Sequence, residues 1–80
     1  MTLTDQHWAL LAAARAHPDR LVTIETDLLP GRDVALIHLH QLRDRFLLAM
    51  DHARPLHTYK LTLLGERSIA EREGGVSFAG

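Results

Sequence analysis

The stretch from Asp33 to Gly65 constrains the fold most, because it joins a helical pattern to two short strand patterns and then to another helical pattern. Asp33 is a suitable N-cap for a helix over Val34–Arg45. At about 100° per residue, one side of this helix collects the apolar residues expected to face the core: Ala35, Leu39, Leu42 and Phe46. The pattern therefore predicts an amphipathic helix that packs on one side.

A β-hairpin is predicted directly after this helix. The apolar run Phe46–Met50 favours a buried strand, and Asp51–Pro55 is typical of a polar turn. In the returning strand, Tyr59 and Leu61 face the core while Lys60 faces away, because side chains alternate along a strand.

Two further helices are predicted before this unit. Thr4 can cap a first helix that ends before Pro18, since the residue preceding a proline is biased away from helix. After a very short extended piece, a second helix is expected from Thr23 to about Leu29, although its β-branched residues also suit a strand. Pro30-Gly31 then breaks the chain.

The chain closes with a helix over about Leu64–Glu73, which Thr62 can cap and Gly74-Gly75 would end. The expected architecture is α+β: three N-terminal helices, a two-stranded hairpin and a C-terminal helix. Residues 1–75 would form a single domain, followed by a flexible tail over residues 76–80.

Composition restricts the class of protein. The chain has 80 residues and no cysteine, so its core is small and no disulfide or thiolate metal site can support it. No apolar run approaches the roughly 20 residues of a membrane span, and the N-terminus lacks a signal-peptide pattern, which suggests a cytoplasmic protein. The net charge of −1 is low for a nucleic-acid binder.

The first helix is apolar on nearly every side. Trp8, Leu10, Leu11 and its alanines leave no clear solvent face, a pattern normally found in helices that are buried all round. In a domain of this size, the pattern predicts a homodimer built on this helix.

Two motifs resemble those of the winged helix-turn-helix superfamily, especially small prokaryotic regulators of the MarR, PadR and ArsR kinds. Leu39-His-Gln-Leu42 followed by Arg45-Phe-Leu-Leu48 is similar to the end of the recognition helix and the entry into the wing. Tyr59-Lys-Leu-Thr-Leu-Leu-Gly65 matches the pattern Y-x-L-T-x-x-G at the wing exit. The family usually has glycine where this chain has Phe46. The helix also faintly resembles that of OmpR-type regulators, whose glycine-rich wing end is absent here.

The resemblance implies binding to double-stranded DNA as a small transcriptional regulator, with the helix Val34–Arg45 in the major groove and the wing Asp51–Leu56 on the backbone or minor groove. Gln41 is the candidate for a base-edge contact and Arg45 for a base or phosphate contact. The other candidate DNA-binding residues supply charge or polar groups near this surface: Arg32, His40, His52, Arg54 and Lys60.

The alternative is a winged-helix module that binds protein and not DNA. Val34 and Ile37 are expected on an outward surface of the recognition helix, beside the acids Asp33 and Asp44, which suit phosphate poorly. The sequence shows no catalytic motif, and its histidine pairs lack the ligands of a tetrahedral site. We therefore expect no enzyme activity, metal or cofactor.

Overall fold

Three helices and a three-stranded antiparallel sheet make up the described part of the chain, residues 2–54 and 57–74 of a computed structural model. The elements are α1 (Asp5–Ala16), β1 (Leu21–Thr23), α2 (Arg32–Asp44), β2 (Leu48–Met50), β3 (Thr58–Leu61) and α3 (Leu63–Gly74). The fold is α+β, as the sequence predicts. None of the described helices is long and apolar enough to cross a membrane.

The sheet has the order β1-β3-β2. Lys60 pairs with Leu21 of β1 on one side and with Ala49 of β2 on the other. Tyr59 and Leu61 of β3 are buried and Lys60 is exposed, as predicted, but Thr58, which was expected to face outward with Lys60, is buried as well. Because β3 is central, both β1 and β2 are edge strands.

The core lies between the inner face of this sheet and the helices. Ala35, Leu39 and Leu42 of α2 are fully buried, so the predicted core side of this helix is confirmed. Leu10 and Leu11 of α1 are also fully buried, and α1 contacts α2, α3 and the sheet of its own chain. Each such leucine contributes about 1.5–3 kcal/mol when it leaves water. The chain itself therefore accounts for the apolar side chains that suggested a dimer through α1.

The predicted helix from Thr23 to Leu29 is wrong, because this segment forms turns. The hydroxyl of Thr23 accepts a hydrogen bond from the backbone N–H of Glu25 (3.2 Å), and the hydroxyl of Thr26 accepts one from Leu28 (3.2 Å). Such local bonds give the backbone an alternative to the helical ladder. Two helices, not three, precede the hairpin, and Leu21–Thr23 adds a third strand to it.

The end of α2 corrects the prediction for Phe46. The backbone N–H of Phe46 donates to the carbonyl of Arg43 (2.9 Å), and that of Leu47 donates to the carbonyl of Leu42 (3.0 Å). These two bonds form a Schellman motif, in which the residue after the C-cap is left-handed. Phe46 has φ of 63°, and its side chain is 74% exposed instead of packed in the core. The helix ends before Phe46 and the left-handed turn points its side chain outward.

The motif Tyr59–Gly65 ties α3 to the sheet. The hydroxyl of Thr62 accepts the backbone N–H of Gly65 (2.9 Å) and donates to the carbonyl of Phe46 (2.6 Å), so Thr62 caps α3 as predicted. A Cβ at Gly65 would collide with the backbone carbonyl of Leu47, so this position requires glycine. The predicted tail over residues 76–80 lies outside the described residues.

Candidate interaction surface

The outer side of α2, defined here by Asp33, Ile37 and Asp44, faces solvent. The side chain of Ile37 is 56% exposed, as predicted, and Asp33 and Asp44 are exposed before and after it on the same side of the helix. His40 is half-buried, with its ring edge-on to Tyr59 at a centroid distance of 6.3 Å. This side of the helix therefore presents an apolar side chain between two carboxylates, of which that of Asp44 lies 3.4 Å from the guanidinium of Arg43.

Gln41 lies between α1 and α2 and does not extend outward. The backbone N–H of Thr4 donates to Nδ1 of His7 (3.0 Å), which completes a capping box at the start of α1. His7 Nδ1 is thus an acceptor, so its protonated Nε2 donates to Oε1 of Gln41 (2.6 Å). His7 is only 2% exposed, and Gln41 satisfies its buried N–H. The amide predicted to contact a base edge is part of this interhelical bond.

His38 and Val34 also face inward. Nδ1 of His38 donates to the carbonyl of Val34 (2.8 Å), and the rings of His38 and His7 lie 4.6 Å apart. Val34 is half-buried and packs against the core, so the prediction that it lies on an outward surface with Ile37 is wrong. The role of His7 was missed from the sequence, because a capping box usually has Glu or Gln three residues after its N-cap and this chain has histidine there.

Two of the predicted DNA-binding arginines have acidic partners. Arg32 lies 3.1 Å from Glu25, and Arg54 lies 3.5 Å from Asp51 and 4.0 Å from Asp19. These pairs are exposed, so each is worth about 0–1 kcal/mol and can be exchanged for another partner at small cost. Glu25 therefore offsets the positive charge of Arg32, and Asp51 and Asp19 offset that of Arg54 in the hairpin turn.

The remaining candidates do not form one surface. The side chain of Lys60 lies on the outer face of the sheet, opposite to the inner face on which α2 packs. His52 is exposed in the turn, and Arg45 is half-buried at the C-cap of α2. Arg45 thus precedes β2 and His52 follows it, so these two candidates lie at opposite ends of that strand, while Lys60 lies on the outer face of the sheet and Gln41 between α1 and α2.

A groove of about 540 Å³ runs along the free edge of β2, a feature that the sequence did not reveal. The groove, called here the β2-edge groove, is lined by Arg43, Asp44, Phe46, Leu48, Ala49, Met50 and His52. Its most unusual member is Phe46, an exposed aromatic residue at a left-handed position. The sequence signal was the phenylalanine at a position where the resembling family usually has glycine.

Tyr59 is the most buried polar side chain near this junction. It is fully buried, and its hydroxyl has no hydrogen-bond partner among the residues that the structure describes. Burial raises the pKa of Tyr59 above its usual value, and the nearby charge of Arg43 opposes this shift. A buried hydroxyl without a partner destabilises the folded chain, because it has lost its hydrogen bonds to water.

Within residues 2–54 and 57–74, no three His, Cys, Asp or Glu side chains lie close enough together to hold a metal ion. Comparisons of the chain with models of known protein families, with curated proteins and with solved structures find no match. The functional argument therefore depends on the geometry of the surfaces described above.

Proposed function

We propose that the chain has a winged-helix layout and acts as a protein-interaction module whose contact surface is the outer side of α2. The layout is supported by α2, which leads directly into the antiparallel pair β2–β3. It is also supported by the motif Tyr59–Gly65, since its threonine caps α3 and its glycine allows close contact with Leu47.

The choice of a protein partner is carried by one observation: Ile37 is 56% exposed and lies between Asp33 and Asp44 on the outer side of α2. In a major groove, both carboxylates would approach phosphates, while most non-specific affinity for DNA comes from neutralising phosphates. An apolar side chain with acidic neighbours instead suits a protein surface with an apolar pocket and a basic rim.

DNA binding is the second candidate, because Arg45 at the C-cap of α2 and His52 in the turn after β2 form no ion pair in the described part of the chain. In this case α2 and the turn would contact double-stranded DNA as the family resemblance implies.

A photo-crosslinking amino acid at position 37 tests the proposal in cells. We expect crosslinks from position 37 to a protein, and none from a matched probe at position 70, which is exposed on α3. The same purified chain should not bind double-stranded DNA at low salt. Crosslinks to DNA, or salt-dependent DNA binding that Arg45→Ala weakens, would favour the second candidate and reject the first.

A further inference from the structure

The outer edge of β2 has free backbone hydrogen-bonding groups. The backbone N–H of Asp51 donates to the carbonyl of Thr58 (3.0 Å), and that of Thr62 donates to the carbonyl of Leu47 (3.2 Å). Because backbone groups alternate along a strand, Ala49 also faces β3, and the intervening Leu48 and Met50 direct their N–H and C=O groups away from β3. No strand of the described residues pairs with this edge. Such an edge is a template for another strand.

A second copy of β2 fits this edge in an antiparallel register centred on Ala49. Leu48 then lies opposite Met50 of the second copy, and every outward N–H and C=O of these two residues has a partner in both copies. The two Ala49 residues form the non-hydrogen-bonded pair, where Cα atoms approach to about 4.5 Å. Ala49 is exposed and small, so this close pair is sterically allowed.

The same register matches the two ends of the β2-edge groove. The groove has Phe46 toward one end and His52 toward the other, so the antiparallel contact places the Phe46 end of one copy beside the His52 end of the second copy. The contact would also cover the side chain of Phe46, which is 74% exposed in the single chain.

We propose that two copies of this chain associate through the free edges of β2 to form a continuous six-stranded antiparallel sheet, a doubling of the three strands in each copy. The contact is isologous, because each copy contributes the same residues. It goes beyond the proposed function, whose main residue Ile37 is not part of this contact. Either proposal can therefore fail without the other.

Sedimentation equilibrium over a dilution series tests the dimer with matched variants. Ala49→Glu places two carboxylates opposite each other across the two-fold axis, but within one chain the new carboxylate faces Lys60, so the monomer keeps its fold. We expect this variant to raise the dimer Kd by about tenfold or more. Ala12→Glu, the same change on the exposed part of α1, should leave the Kd unchanged. Ala49→Thr should lower the Kd by up to about fivefold through a cross-strand Thr–Thr pair.

Amide hydrogen exchange identifies the edge directly. The amides of Leu48 and Met50 should exchange more slowly as the protein concentration rises, since only the dimer bonds them. The amide of Ala49 faces β3 and should be protected at every concentration. A monomer throughout the dilution series would overturn the proposal. So would a dimer that Ala12→Glu weakens and Ala49→Glu does not, or exchange at Leu48 and Met50 that is independent of concentration.

Discussion

Replacing Phe46 by glycine and by alanine tests the cost of the left-handed turn at the end of α2. Phe46 has φ of 63° at the position that a Schellman motif usually gives to glycine. A left-handed conformation costs an L-residue about 1–2 kcal/mol, and this cost is the same for alanine as for phenylalanine. Glycine avoids this cost. However, a glycine gives the unfolded chain more conformational freedom, which lowers the free energy of unfolding by about 0.4–1 kcal/mol.

The side chain of Phe46 contributes little, because it is 74% exposed. About a quarter of the usual 1.5–3 kcal/mol for burying a phenylalanine gives roughly 0.4–0.8 kcal/mol, and both variants lose it. We therefore expect Phe46→Ala to lower the free energy of unfolding by about 0.5 kcal/mol. Phe46→Gly avoids the left-handed cost, so it should be more stable than Phe46→Ala by about 1 kcal/mol and more stable than the parent by about 0.5 kcal/mol.

Urea unfolding followed by circular dichroism, at concentrations where the chain is monomeric, measures this difference. The control is Ala70→Gly on the exposed side of α3, where glycine should be less stable than alanine by about 1 kcal/mol. In a chain of this length, a difference of 1 kcal/mol corresponds to a shift in Tm of about 4–8 °C. If alanine equals or exceeds glycine at position 46, then the turn is not left-handed in solution and the argument fails.

Three further predictions concern packing and hydrogen bonds inside the chain. Gly65→Ala should lower the free energy of unfolding by about 1–3 kcal/mol despite the better helix propensity of alanine, because its Cβ meets the carbonyl of Leu47; a more stable variant in urea unfolding would contradict this. Gln41→Ala should cost about 1–3 kcal/mol, since it leaves the buried N–H of His7 unpaired, and a neutral effect would instead fit a side chain that faces solvent. Burial raises the pKa of Tyr59, so its hydroxyl ionises less readily in the folded chain than in the unfolded chain. The free energy of unfolding should therefore fall as the pH rises above about 10, where the tyrosine of the unfolded chain ionises. Tyr59→Phe should reduce this alkaline loss in urea titrations, and at neutral pH it should be at least as stable as the parent, because it removes a buried hydroxyl without a partner among the described residues. An equal alkaline loss in both proteins would assign the loss to other groups.

The sequence alone was sufficient where neighbours along the chain decide the structure. The spacing of Ala35, Leu39 and Leu42 predicted the buried side of α2, and all three are fully buried. Thr62 predicted the start of α3, because a hydroxyl at an N-cap can accept a backbone N–H three residues later. The alternation of Tyr59 and Lys60 predicted the two faces of β3. Each of these predictions depends only on residues that are close to one another in the sequence, within one or two helical turns or a few strand positions.

Only the tertiary structure decided the features that depend on distant parts of the chain. Leu21–Thr23 is a strand because β3 lies beside it, and no local pattern states that pairing. Gln41 faces inward because His7, far from it in sequence, is buried with an N–H that needs an acceptor. Phe46 leaves the core because the last carbonyls of α2 are satisfied by a left-handed turn. In each case a buried or terminal hydrogen-bonding group must find its partner in space, and periodicity along the sequence does not specify that partner.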